Sequence, residues 1–252
     1  MFSDVRSFTS ISERLKPNEV VESLNKYFSS MVEIIMGNDG IVDKYIGDAI
    51  MAIYGAPVQH ENDALQATLS GLEMLDALKN FNQEQEEHGR PKFAIGIGIN
   101  FGLVTVGNIG SDRKMDYTVI GDMVNLSSRL EGLTKKYKLP LLVSESVYRK
   151  IEGHLPCRLV DRVVVKGKTQ GIGIYAPKRN LTEEEKRAWE IHDLAVEAFY
   201  KRNFLRAAGL FYEVKEYLPE DYCSNMFLQR SEEYITDPPP ENWTGLTVMT
   251  EK

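Results

Sequence analysis

Cysteine is scarce. Cys157 and Cys223 are the only two and stand 66 positions apart, which excludes a disulfide framework and a cysteine metal cluster. They read as free thiols in a reducing compartment, hence a cytoplasmic protein. Histidine is thin as well: His60, His88, His154 and His192 are isolated from one another, and each reads as a surface or satisfied partly buried residue rather than a ligand. No apolar run approaches the roughly 18 residues a spanning helix needs, and no signal peptide opens the chain. The basic excess used for general nucleic-acid or anionic-membrane binding is also missing, since the formal net charge is -7. A polyphosphate ligand would therefore need locally placed cations or a metal.

What is present is a soluble globular composition, 42% hydrophobic and 27% charged over 252 residues. That length holds one large domain, or one of ordinary size with an appendage. Residues 1–3 read as the tail of a strand with Asp4 at its end. Apolar residues then recur with helical period over 20–36, at Val20, Val21, Leu24, Phe28, Met31, Ile34 and Ile35, and Asn38-Asp39-Gly40 stops that helix. The segment GIVDKYIGDAIMAIYG reads as a hairpin turning at Gly47-Asp48. A second long amphipathic helix fits 64–81. KFAIGIGIN and LVTVGNI read as a strand pair, and the lack of a third glycine at Phe101 argues against a dinucleotide fingerprint at Gly96 and Gly98. A strand, a Gly121-Asp122 turn and a helix fit 112–133, a strand and a short helix fit 140–152, and a last hairpin surrounds KGKTQG. Helices alternating with antiparallel hairpins predict an α+β sandwich, with helices packed on a mixed sheet.

The chemistry gathers at few positions. Asn125 and Arg129, four apart on one helix, share a face and suit a polyanion. Asp4 and Asp48 are 44 positions apart, but adjacent strand ends can bring them together. Two unneutralised carboxylates repel, which favours a divalent cation between them, and hard oxygen ligands favour Mg or Mn with room for substrate phosphates. Taken alone, each of these residues is also an ordinary turn acid or helix-flank polar group.

FSDVRSFTSISERL, DKYIGDAIMAIYGAP and DYTVIGDMVNLSSRLEGL, in this order and spacing, closely resemble the class III nucleotidyl cyclase catalytic domain over residues 1–176. The resemblance implies a ferredoxin-like cyclase sandwich over 1–178, its first strand short in this chain. It implies two Mg2+ or Mn2+ ions held by Asp4, Asp48 and the backbone carbonyl of Val5, and a triphosphate cradled by the amides of Ser7, Phe8 and Thr9 at a helix start. Lys44 and Thr118 would read the purine, Asn125 would orient the ribose and Arg129 would stabilise charge on the α-phosphate. Lys166 would contact the outer phosphates, with Lys168 as the second candidate. A lysine at position 44, where guanine readers of the family carry an acid, implies ATP over GTP, and Thr118 is similar to a subgroup often stimulated by bicarbonate. In family homodimers the metal carboxylates come from one chain and the purine readers, asparagine and arginine from the other. The implied reaction is ATP to 3′,5′-cyclic AMP and pyrophosphate. A nucleotide-binding or scaffolding module without turnover, motivated by the short first strand, and a guanylate cyclase are the alternatives.

From about residue 180 the composition turns charged and helical. Helices are expected over 182–201, with Leu194 and Ala195 on one stripe, and over 204–218, with Ala207 and Phe211 facing inward. Their offsets match one 34-residue tetratricopeptide unit, so 179–236 reads as a TPR-like extension that packs on the domain or on a partner. The upstream sensor implied for such cyclases and a partner of these helices are the expected contacts. The tail over 237–252 is proline-rich, with Trp243 as its anchor.

Overall fold

The computed structural model describes residues 1–164 and 171–248. The chain divides into two compact units, Met1–His154 and Leu155–Lys252.

In the first unit, β1 (Phe2–Val5), β2 (Ile41–Ile46), β3 (Ala49–Ile53), β4 (Ile95–Ile99) and β7 (Leu141–Ser144) lie in one sheet in the order β7-β4-β1-β3-β2. The β4/β7 pair is parallel, and the other pairs are antiparallel. The sheet is therefore mixed, as the sequence predicts. Strand β1 is central, paired on both sides, and Asp4 lies within it rather than after it. The expected pair of 92–100 with 103–109 does not form. β4 pairs with β1 and β7, whereas β5 (Thr105–Ser111) pairs with β6 (Lys114–Ile120) in a separate two-stranded ribbon.

Helices cover both sheet faces. α1 (Phe8–Ser12) is a single short turn, and α2 (Pro17–Gly37) opens on Pro17, with the Glu19 carboxylate accepting from the Lys16 amide at 2.9 Å. The buried stripe of α2 is Ser23, Tyr27, Met31 and Ile35, four apart, while Val21 faces solvent. It meets α3 (Asp63–Glu87), where Tyr27 and Phe81 stack edge to face. Such burial contributes about 1.5–3 kcal/mol for each large side chain. On β4, side chains alternate between faces: Ile99 points toward α3, close to Gly71, while Gly96 and Gly98 point toward α4 (Asp122–Lys136). A Cβ at Gly98 would stand 2.2 Å from the Glu131 amide nitrogen and 2.4 Å from the Ser127 carbonyl. Gly98 thus lets the α4 backbone lie directly on the strand, while Gly96 leaves room for the Thr134, Glu131 and Arg6 side chains. α5 (Glu145–Ile151) follows β7, capped by Ser144.

In the second unit, β8 (Cys157–Val164) and β9 (Ile172–Pro177) form the expected antiparallel hairpin, and β10 (Thr247–Val248) runs parallel to β8. The helices are α6 (Glu183–Tyr200), α7 (Phe204–Tyr217) and α8 (Tyr222–Thr236), the last not resolved as a separate element from sequence. Thr182 and Glu185 form the capping box of α6. Ala195, Ala207 and Phe211 are fully buried as expected, but Leu194 is exposed. Trp243 packs against Phe199, Phe204 and Tyr234, and Arg202 holds the carbonyls of Pro239 and Pro240. His192 is fully buried between Ser224 Oγ and the Leu159 carbonyl, each at 2.9 Å. Neither cysteine is in a disulfide, and among the described residues no helix is long and apolar enough to cross a membrane.

Candidate active site

The register of β1 against β3 sets Ser3 opposite Ile50, so Asp4 falls beside the Gly47-Asp48 turn. Gly47 has φ of 66°, a left-handed conformation that favours glycine. The Asp4 and Asp48 carboxylates come close enough to share a hydrogen bond. Burial, then the charge and hydrogen bond of Asp48, push Asp4 up to about 6, against the Val5 amide and Arg6, which favour its ionised form.

A third carboxylate, which the sequence reading missed, stands in the same field. Burial first, then Asp4 and Asp48, push Glu131 of α4 up to about 7, with Arg6 opposing. Arg6 donates to Thr134 Oγ1 at 2.7 Å and to the Leu139 carbonyl at 3.3 Å, fastening the segment after β1 to the end of α4. A Cβ at Gly96 would meet Thr134, Glu131 and Arg6 together. The available signals were the alternate glycines of β4 and the spacing of 127, 130, 131 and 134 on α4, which marks that helix's inner face.

Asn125 and Arg129 lie elsewhere on α4. Leu126, Ser127 and Leu130 are buried, whereas Asn125 is exposed and Arg129 half-exposed. Among the described residues neither makes a hydrogen bond or ion pair with Asp4 or Asp48. The charges acting on Asp4 are those of Asp48 and Arg6, not Arg129. The structure therefore brings the two aspartates together but does not join the Asn/Arg pair to them within one chain.

Lys44 and Thr118 meet through an intermediary. Thr118 Oγ1 donates to Asp43 Oδ2 at 2.8 Å, and Lys44 Nζ lies 3.6 Å from the same oxygen. Asp43 is another residue the sequence reading missed, because strand alternation puts neighbours on opposite faces. The β2/β3 register shifts between Val42 and Lys44, and such a bulge redirects side chains.

Ser7 begins α1 with φ of 56°, strained for a non-glycine residue, and its side chain makes no capping bond. Val5 ends β1, and the next amide, of Arg6, donates to the Ala94 carbonyl. Phe8 and Thr9 form the first turn of α1, where amide groups have no partner within a helix. Lys166 and Lys168 lie outside the described residues. A cavity of about 420 Å³, lined by apolar groups such as Met51, Val104, Val119 and Met123, includes none of the candidate site side chains.

Residues 1–177 match the model of the adenylate and guanylate cyclase catalytic domain. The chain belongs to this family. An adenylate cyclase of Anabaena cylindrica is 42% identical over 185 residues, 71% of this chain and 36% of that protein, so the chain spans about a third of that relative's length. Among solved structures, the adenylyl cyclase CyaB from P. aeruginosa is 36% identical with a TM-score of 0.67, covering 72% of this chain and 94% of that one. The guanylyl cyclase Cya2 is also 36% identical, with a TM-score of 0.64 over 72% of this chain and 91% of that one. The cyclase fold is thus common to enzymes named for different purines, and preference between them has to come from individual side chains.

The donor set of this cyclase domain suits a hard divalent cation. It offers two facing carboxylates whose mutual repulsion a cation would relieve. Among the described residues no group of three or more His, Cys, Asp or Glu side chains is arranged to hold a metal. A cation there would need oxygens from backbone and substrate to complete its shell.

Proposed function

We propose that the chain is an adenylate cyclase domain that converts ATP to 3′,5′-cyclic AMP and pyrophosphate. The observation that carries the reading is the facing pair Asp4 and Asp48, in a chain that belongs to the cyclase family. The ribose 3′-oxygen attacks the α-phosphorus in line, the new O–P bond closes the ring, and the bond to the β-phosphoryl oxygen breaks with its electron pair leaving on pyrophosphate. Two Mg2+ or Mn2+ ions, when bound, lower the 3′-hydroxyl pKa and neutralise the leaving group. Asp4, Asp48 and the Val5 carbonyl would hold them. The amides of Ser7, Phe8 and Thr9 face the triphosphate, and Lys166 with Lys168 contacts its outer end. Lys44 and Thr118 read adenine, Asn125 orients the ribose, and Arg129 stabilises charge building on the α-phosphate.

The complete site is formed by two copies of the chain. Asp48 and Lys44 occupy one short hairpin, yet among the described residues Arg129 makes no hydrogen bond or ion pair with Asp4 or Asp48, which suits carboxylates from one copy working with purine readers from the other. Tyr45 and Ile46 on β2 and Met115, Tyr117 and Ile120 on β6 are large exposed apolar side chains, suited to a two-fold interface between copies. On this reading residues 1–178 are the catalytic domain, and α6 to α8 are a TPR-like extension open to a protein partner or to signals from an upstream sensor.

The deciding assay incubates the purified chain with Mn2+ and either ATP or GTP and quantifies both cyclic products. Cyclic AMP in excess supports the reading. Cyclic GMP in excess would move the assignment to guanylate cyclase, and ATP binding without product would support a scaffolding module.

A further inference from the structure

We propose that Asp43 is a positioning residue that fixes the hydrogen-bond polarity of Thr118 and so sets the preference for a 6-amino over a 6-oxo purine. The inference rests on the reading of Lys44 and Thr118 as the purine-facing pair. A threonine hydroxyl has one proton and two lone pairs and can serve as donor or acceptor. Left free, it would rotate to accept from the amino group of adenine or to donate to the carbonyl of guanine, and would distinguish neither.

The structure removes that freedom. Thr118 Oγ1 gives its proton to Asp43 Oδ2 at 2.8 Å. An ionised carboxylate only accepts, so the direction of this bond is fixed. The lone pairs of Thr118 are then what it offers a ligand. They match the exocyclic amine of adenine and oppose the carbonyl oxygen of guanine. The same Oδ2 lies 3.6 Å from Lys44 Nζ, so one carboxylate sets both readers, Thr118 as an acceptor and Lys44 as a donor.

Three further observations single out Asp43. The side chain is 1% exposed while Lys44 beside it is 35% exposed, so the carboxylate is embedded and the ammonium reaches outward. The register shift of β2 falls at this residue, which gives neighbouring side chains access to one another that a regular strand would deny. Asp43 Oδ1 is buried with no hydrogen-bond partner. An unsatisfied buried acceptor opposes stability, so a residue serving only to hold β2 to β6 would be better chosen as a neutral group.

The test is the ratio of kcat/KM for ATP to that for GTP, in the parent and in D43N, K44A and T118A chains. An asparagine can donate or accept toward Thr118 and frees its proton. The expected result for D43N is a fall in the ratio of at least about tenfold, one hydrogen bond's worth of discrimination, mostly through a gain on GTP. A D43N chain that loses ATP and GTP activity equally would overturn the proposal and leave Asp43 as a tie between β2 and β6. If K44A and T118A shift the ratio and D43N does not, the proposal fails and the purine assignment stands. If none of the three shifts it, the purine assignment fails and takes the proposal with it. Should D43N not fold, the parent alone compares ATP with inosine triphosphate, which differ at position 6. Preference for ATP of about tenfold or more is expected, and equal use of both overturns the proposal.

Discussion

At the residue scale, Asp4 carries an electrostatic burden that a cation would lift. Its carboxyl is pushed up to about 6 beside Asp48, while an unfolded chain would lose that proton near the ordinary value of 3.8. Between those values the folded protein binds more protons than the unfolded one, so this group's contribution to metal-free stability falls as pH rises through the window. Above about pH 6 the Asp4 carboxylate is free of its proton and attracts Mn2+ most. The rise in melting temperature on adding Mn2+ is therefore expected to be larger at pH 7.5 than at pH 5.5, and absent in D4N. An equal shift at both pH values would argue against a carboxylate cation site. For R129A, kcat is expected to fall by about two to three orders of magnitude in steady-state assays, the scale for losing a group that stabilises transition-state charge. The approach of Asp4 to Asp48 was legible because a short strand and a Gly-Asp turn announce themselves in sequence, although Asp4 lies within β1 rather than after it. Glu131 and Asp43 were not, since one depends on which face of α4 is covered and the other on an irregularity of β2 that leaves no mark in the pattern of apolar residues.

At the scale of elements, α4 is held against β4 by absent side chains. Gly98→Ala would place a methyl against the backbone of Ser127 and Glu131, and neither can yield without moving the helix. Urea unfolding is expected to show a loss of about 3 kcal/mol or more, with cyclase activity lost because α4 carries Asn125 and Arg129. Gly132→Ala on the same helix meets nothing within 4 Å and is expected to be neutral or to stabilise by up to about 1 kcal/mol. The glycines were visible in the sequence, and a dinucleotide loop was correctly set aside, but their use in helix docking becomes evident only once α4 is placed. The 92–100 and 103–109 strands illustrate the converse. Their β character was readable, yet pairing is a long-range choice, and β4 took β1 and β7 while β5 took β6.

The helices of the second unit make a separate prediction. Burial first, then the Arg158 charge, hold His192 down at about 4. The folded protein thus binds fewer protons than the unfolded one between about 4 and the ordinary 6.5, so stability falls on acidification through that window. Trp189 and Trp243 are the only tryptophans and both lie in this unit, so their fluorescence reports its unfolding. The parent is expected to lose stability with a slope steeper than that of His192→Asn by up to about 1.4 kcal/mol per pH unit. Identical slopes would mean that His192 is charged in the folded state.

At the scale of the whole molecule, the proposed site takes its parts from two copies of the chain. The sequence resemblance and the α+β sheet agree on a cyclase domain, and the separation of Arg129 from the Asp4 and Asp48 pair gives that domain a reason to self-associate. The most direct measurement mixes two variants of the chain, Asp48→Ala and Arg129→Ala, each nearly inactive alone, and follows cyclic AMP formation with Mn2+ and ATP while mixed dimers are quantified. Each mixed dimer would hold one site built wholly from unmutated residues, so at equal amounts and free exchange the mixture should regain about a quarter of parental activity. Mixed dimers with no activity beyond the sum of the separate variants would contradict a site shared between two copies.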